Sequence, residues 1–483
     1  MCLLSRFSNA SGITPGRHGS LSRRETKVSQ SRNHRLRAIA GGGLALSAAL
    51  ALAGCTPPGS GGPEPTSPAA SGAAGGEISC GPEDVVLSAY IETGFPLPNE
   101  LFAEFTKQYP NVTFDVREDQ FAVITQNAPR VLQDDPPDLM RIPQMSELAS
   151  GGLLLDLDPY AEAFGWTEWP ASQLEQLRVD DAGRRGDGPL YAMGLNFSMT
   201  GVFYNKELAA QIGMTEAPKS LAELDGYLAD AKAAGITPIA QFNGGATGGL
   251  LFPLQALMAS YGSTAPINDW IFQVEGASID TPDNLAAAEH LQSWVEAGYF
   301  AEDVNSMDYA QMMSRFIGGE SLFIFDGDWE SGNLDTNMAG KAGFFLMPPL
   351  EEGGTQFGAM SAPLTYGISA NAEHPDCAAF FLDWTATNEE ARTITVEVGG
   401  SHPMGPADAF MPEVDADSVT AATLAAGTQV NAVNGAMDFI ANATGSIYAQ
   451  SWTPNIQQLV AGQQTAAGML TAVQADYEAE VGD

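Results

Sequence analysis

The stretch Val85-Val86-Leu87-Ser88-Ala89-Tyr90-Ile91, followed by Asn99-Glu100-Leu101-Phe102-Ala103-Glu104-Phe105-Thr106-Lys107-Gln108-Tyr109 and then Val112-Thr113-Phe114-Asp115-Val116, decides the fold. The first run is rich in residues that suit a pleated, buried strand. In the second, Leu101, Phe102 and Phe105 recur at helical spacing behind Asn99, which reads as an N-cap, and Pro110 stops the helix. The third reads as the next strand, so the body opens as strand, helix, strand, the unit from which parallel sheets are built. The theme continues downstream. Ser220 caps a helix over Leu221 to Ala234, Gly235 ends it, and Ile236 to Phe242 reads as a strand. Leu322 to Phe325 is a short apolar strand, whereas Cys377 to Trp384 and Ile456 to Val473 read as helices. No repeat of solenoid period occurs. The roughly 400 residues of this body exceed what one hydrophobic core usually supports, so two lobes are expected.

Ahead of the body, Arg32, Arg35 and Arg37 precede the apolar segment Ala38 to Leu52, and Leu52-Ala53-Gly54-Cys55 follows. A basic region, a short apolar core and small residues at the end make a secretory signal over 1–54. A spanning helix needs about 20 apolar residues, more than this run offers, and Gly41, Gly42 and Gly43 interrupt it. The pattern resembles a bacterial lipobox, which implies that the thiol of Cys55 takes a diacylglycerol and becomes the mature N-terminus. Met1 to Gln30 adds nothing a signal requires, so translation is expected to start near Val28. Residues 55–80 then form the lipidated N-terminus and linker. Thr56 to Glu77 holds Gly, Pro, Ser, Thr and Ala with two charges, Glu64 and Glu77; it is too polar and small to fold and acts as a tether of about 25 Å r.m.s..

The leader carries 8 of the 21 Lys+Arg residues and 1 of the 59 acids, leaving 13 bases, 58 acids and a formal charge near −45. Such a surface repels nucleic acid and anionic lipid. It is also a simple route to solubility outside the cytoplasm. Of four cysteines, Cys2 falls in the leader and Cys55 goes to lipid. Cys80 and Cys377 remain, either paired, as an oxidising compartment favours, or as two thiols.

Further segments carry a resemblance. They are Pro137-Asp138-Leu139, Gly151-Gly152-Leu153-Leu154-Leu155-Asp156-Leu157, Tyr204-Asn205-Lys206-Glu207-Leu208, Ile212-Gly213-Met214 and Lys219-Ser220-Leu221-Ala222-Glu223-Leu224. Gly319-Glu320-Ser321 leads to Asp326-Gly327-Asp328-Trp329, then Met347-Pro348-Pro349, Gly367-Ile368-Ser369 and His374-Pro375-Asp376-Cys377-Ala378-Ala379-Phe380-Phe381-Leu382. In this order and spacing the chain resembles the extracellular solute-binding proteins of carbohydrate ABC transporters, solute-binding protein family 1, which includes maltose-binding protein. The resemblance covers nearly all of the mature body.

That resemblance implies an α/β fold of the two-lobed periplasmic-binding-protein type (type II), with a ligand cleft and a hinge of three crossings. The crossings map near Asn196 to Met199, near Ser361 to Thr365 and shortly after Met404. Lobe 1 is then 81–195 plus 366–404 and lobe 2 is 196–365 plus 405–483. Cys80 and Cys377 both fall in lobe 1, which makes a bond between them topologically reasonable. It also implies a monomer, lipid-anchored on the extracytoplasmic face of the cell membrane, that hands a sugar or oligosaccharide to ABC permease subunits. No cofactor, metal or nucleic acid is expected.

A pyranose offers apolar C–H faces to aromatic rings and a belt of hydroxyls to carboxylates, amides and guanidinium groups. Trp329 matches the position at which maltose-binding protein stacks a sugar, and Asp326 and Asp328 flank it as hydroxyl acceptors. The competing reading is a core tryptophan between solvent-facing aspartates. Loops after strands supply further candidates: Glu92 and Thr93 after the first strand, Arg141 and Gln144 after Pro137-Asp138-Leu139, and Asn243 after Ile239 to Phe242. Asn243 opens Gly244-Gly245-Ala246-Thr247-Gly248-Gly249, which is either a ligand-approaching backbone or a connector. Ser198 and Tyr366 lie at mapped hinges, and Gly399-Gly400-Ser401-His402-Pro403 approaches the third. The sequence departs from maltose-binding protein around Arg141 and at Ser198, so maltose itself is not implied. Rival readings are a same-fold receptor for a peptide, polyamine or metal, and a cell-surface glycoside hydrolase, which needs two carboxylates at a set separation. His290, His374 and His402 make no zinc motif, and the chain lacks G-x-S-x-G, P-loop and G-x-G-x-x-G patterns.

Overall fold

The computed structural model describes residues 78–482 other than 144, 246 and 360–363. The signal, Cys55, the tether, Gln144 and part of the second mapped crossing lie outside the described residues. The strands in chain order are β1 (Val85–Glu92), β2 (Val112–Asp119), β3 (Leu139–Arg141), β4 (Arg178–Val179), β5 (Arg185–Leu190), β6 (Met193–Gly194), β7 (Thr200–Asn205), β8 (Thr237–Ile239), β9 (Ser321–Gly327), β10 (Ala342–Phe345) and β11 (Thr365–Ile368). They form a five-stranded sheet in the order β2-β1-β3-β11-β6, a four-stranded sheet in the order β10-β7-β9-β8, and the β4–β5 hairpin.

In the five-stranded half, β1 runs parallel to β2 and β3, while β11 is antiparallel to β3 and β6. Helix Leu97–Gln108 covers this sheet through Leu97, Leu101, Phe102 and Phe105. Phe102 stacks on Phe114 of β2 at 4.2 Å, and Phe105 meets Phe381 and Trp384 edge-on. Fully burying one such ring contributes about 2–3 kcal/mol. The helix begins two residues ahead of the expected Asn99 cap. Proline at its second position presets the helical φ there, and Asn99 instead hydrogen-bonds Glu118 at 2.8 Å. Ser220 does cap Leu221–Ala233, accepting from the Glu223 N–H. The strand expected over Ile236 to Phe242 shrinks to β8, and the helix expected over Ile456 to Val473 splits into Thr453–Val460 and Ala466–Val481 around Gly462, whose φ of +66° leaves the helical region.

In the other half all seven residues of β9 are buried. The strand is central, antiparallel to β7 and parallel to β8, and a continuous apolar run is what burial on both faces demands. The chain passes between the halves from β6 to β7, from β10 to β11, and between helix Glu389–Glu397 and helix Val419–Ala432, which packs on β10. Arg392, buried in the last connection, donates to the carbonyls of Ala386 and Met404 at 2.6 Å each.

Cys80 and Cys377 form a disulfide across a sequence separation of 297 residues, fastening the chain just ahead of β1 to helix Pro375–Thr387. A loop this long gives a cross-link near-maximal leverage on the unfolded chain, on the order of 5 kcal/mol in the chain-entropy picture. Replacing both cysteines with serine should lower the unfolding free energy by about 2–5 kcal/mol, measured by denaturant titration. An unchanged midpoint would mean the bond contributes nothing.

Candidate functional site

β9 ends in Gly327, and the next three residues, Asp328–Glu330, form a single 3-10 turn that presents Trp329. A β-carbon at 327 would overlap the indole, so glycine is what lets the ring fold back over the strand end. Trp329 is half-buried, donates its Nε1–H to the Tyr309 hydroxyl at 3.0 Å and meets Phe252 edge-on. It lines a cavity of about 670 Å³ together with Asn333, Glu397, Gly400, Glu413 and Asp415. Helix Glu389–Glu397 ends at that cavity, so both halves of the molecule contribute to its wall.

The flanking aspartates do not face solvent, and in this arrangement they offer a ligand no carboxylate surface: Asp326 is 0% and Asp328 1% exposed. Both readings of them fail for one reason, the packing of the β9 terminus against the first crossing. Asp328 donates its backbone N–H to the Met199 carbonyl at 3.0 Å. Its carboxylate has no well-aligned partner, although the Ser198 hydroxyl and the backbone at Met199, His402 and Trp329 lie close enough to temper the strong upward push of burial on its pKa. Asp326 accepts from the Gly327 N–H at 2.8 Å through one oxygen; the other has no well-aligned partner, although the Tyr309 hydroxyl and the Trp329 indole N–H lie close enough to temper the rise in its pKa. Burial pushes Asp326 up to about 8, and the Glu330 carboxylate adds to the rise.

The remaining sequence candidates fall into three places. Glu92 and Arg141 pair with each other at 3.3 Å, and Arg141 also donates to the carbonyls of Ile142 and Thr365. Tyr366 sits opposite Arg141 in the β11–β3 ladder, buried, with its hydroxyl unpartnered, and Thr93 is exposed, its N–H closing on the Asp119 carbonyl. Ser198 is buried at the first crossing, where its hydroxyl donates to Ser401 at 3.2 Å and so joins the first connection to the third. Asn243 is buried in the other half, donating to Asn305 at 2.7 Å, with its carbonyl accepting from Gln457. The far end of the glycine run beyond it is packed. Gly248 donates to Thr453, Gly249 to the Phe242 carbonyl, and a β-carbon at either would strike Asn243 or Phe242. Of the described candidates, Trp329 and the Gly399-Gly400 end of the loop near the third crossing line the cavity.

Sequence reasoning missed the aromatic wall behind Trp329, formed by Phe242, Phe252, Tyr309, Phe439 and Tyr448 in successive edge or tilted contacts. It also missed Glu397, Glu413 and Asp415. One local signal existed, the Asp308–Gln311 capping box that starts the helix carrying Tyr309. His402 bridges Phe197, and burial pushes its imidazole down to about 4.

The halves also touch beyond the crossings. Arg185 of the β4–β5 hairpin pairs with buried Asp438 and lies over the Phe272 ring at 5.4 Å, while Gln173 donates to Asn431 and accepts from the Gly405 N–H. Arg185→Met should lower stability by about 3 kcal/mol, because Asp438 is left buried without its cation; thermal and urea unfolding would check this. A second expectation concerns pH. A carboxyl whose pKa is raised on folding stabilises the fold fully below its unfolded pKa of about 4 and loses that contribution as pH rises through about 8. The stability of Asp326→Asn relative to wild type should therefore climb between pH 4 and 8. A flat difference would place Asp326 among ordinary acids.

Among solved structures, the fold is similar to the apo form of RafE from Streptococcus pneumoniae, with a TM-score of 0.66 at 20% identity over 83% of this chain and 99% of that one. A chitin oligosaccharide binding protein gives 0.63 at 20% identity, covering 83% and 100%. The bacterial solute receptor AcbH, described as preferring β-D-galactopyranose, gives 0.65 at 16% identity, covering 83% and 100%. No curated relative matches the sequence. These likenesses establish the two-lobed solute-binding fold. The profile of the bacterial extracellular solute-binding proteins matches residues 88–392, and the chain belongs to that family.

Proposed function

We propose that this chain is the receptor of an ABC importer, capturing a sugar or oligosaccharide between its lobes and delivering it to the membrane permease. The observation that carries this reading is Trp329, an indole held at the edge of a cavity of about 670 Å³, with Asn333, Glu397, Glu413 and Asp415 around it. An apolar ring beside amide and carboxylate groups suits a pyranose, whose C–H face stacks while its hydroxyls donate. Several similar structures are described as sugar receptors, one in complex with raffinose and another bound to maltose. The lobes are 81–195 plus 366–404 and 196–365 plus 405–483. Closure stabilises the bound form because the ligand touches both.

On this reading Cys55 anchors a monomer by lipid on the outer face of the membrane, and the energy for transport comes from a separate ATPase. The chain binds its solute without chemical change. One observation favours a second reading: the four carboxylates Asp335, Glu397, Glu413 and Asp415 around an indole would also hold a polyamine, through charge and cation–π attraction.

Trp329→Ala should weaken sugar binding by about 2 kcal/mol or more, read by isothermal titration with raffinose, maltotriose and chitotriose and with spermidine as control. Unchanged affinity would remove Trp329 from the site. A response to spermidine alone would replace the sugar with a polyamine.

A further inference from the structure

Trp329 projects from a turn of three residues, with its ring folded over Gly327 and edge-on to Phe252. A hydrogen-bonded chain adds a directional constraint to that packing. The indole Nε1–H donates to the Tyr309 hydroxyl at 3.0 Å, that hydroxyl donates to Glu330 Oε1 at 2.7 Å, and Asn333 Nδ2 donates to Glu330 Oε2 at 2.6 Å. The two ends of this chain, Trp329 and Asn333, both line the cavity, whereas Tyr309 and Glu330 do not. Tyr309 comes from a different element, the first position of helix Tyr309–Ile317, whose start is pinned by the Asp308–Gln311 capping box. Its ring packs edge-on against Phe242 at 5.2 Å. The phenol is thus a reference point, held by a separate element, for the turn that carries Trp329. Burial and the neighbouring Asp326 and Glu330 carboxylates push the phenol pKa upward, so the hydroxyl remains protonated and keeps donating.

We propose that Tyr309 is a positioning residue for solute capture: through its hydroxyl, backed by Glu330, it holds the indole of Trp329 and the amide of Asn333 in one rigid arrangement before any ligand arrives. Preorganisation of this kind saves the cost of freezing a side chain on binding. The inference rests on the reading of Trp329 as the sugar platform, and it assigns Tyr309 no ligand contact of its own.

A double-mutant cycle tests it in the purified full-length chain. Tyr309→Phe removes the one oxygen and should weaken binding of whichever of raffinose, maltotriose and chitotriose titrates by about two- to tenfold, but should cost nothing further in a Trp329→Ala background. The near-UV circular dichroism of ligand-free Tyr309→Phe should lose indole intensity, while Glu330→Gln, which still offers one oxygen to the phenol but turns an N–H2 toward Asn333, should keep the indole signal. An equal loss with and without Trp329, or a near-UV spectrum superimposable on wild type, would overturn the proposal. If none of the three sugars binds wild type, the sugar reading falls, and the ligand-free spectrum still decides the positioning role by the same criterion.

Discussion

The antiparallel ladder between β7 and β9 is the interaction on which the rest depends. It pairs Thr200 with Gly327, so the last residue of the buried central strand lies beside the first residue after the crossing. From that register follow the bond from Asp328 to Met199, the nearness of Ser198 to the Asp328 carboxylate, and the turn that sets Trp329 at the cavity. Slipping the ladder by one residue would turn every β9 side chain to the opposite face. The turn that carries Trp329 and the first crossing are therefore built from one set of hydrogen bonds.

A chain this acidic has to decide where its carboxylates go. Most stay in solvent, but Asp138, Asp326, Asp328 and Asp438 are enclosed, the first accepting from the Ser88 N–H and hydroxyl and the His374 N–H. Asp438 is satisfied by Arg185 together with the Phe439 N–H and the Asn442 amide. The other two lack such partners, and the protein tolerates them by holding their protons more tightly. Unsatisfied buried acceptors cost stability. Here that cost is concentrated beside the first crossing.

The α/β class, the opening strand-helix-strand unit and the helix behind Ser220 were legible because each depends on local periodicity and capping. The start of helix Leu97–Gln108 was misplaced because Pro98 within the first turn outweighed Asn99. The break at Gly462 was overlooked because apolar spacing runs straight through it. At the site, Trp329 was legible from its short motif, whereas the fates of Asp326, Asp328 and Asn243 depend on packing between segments distant in sequence. Asn243 reaches Gln457, and Ser198 reaches Ser401; neither contact leaves a trace in spacing. The same holds for Tyr309, which touches Trp329 across 20 positions.

The bond between Cys80 and Cys377 also sets a load path. Tension applied to the segment ahead of Cys80 enters the fold at two points, β1 and helix Pro375–Thr387, and the covalent branch carries it. β1 is bonded on both edges, to β2 and β3, and without the bridge it would meet that tension alone as shear along its parallel ladders. With it, pulling is shared with a helix packed under the same sheet.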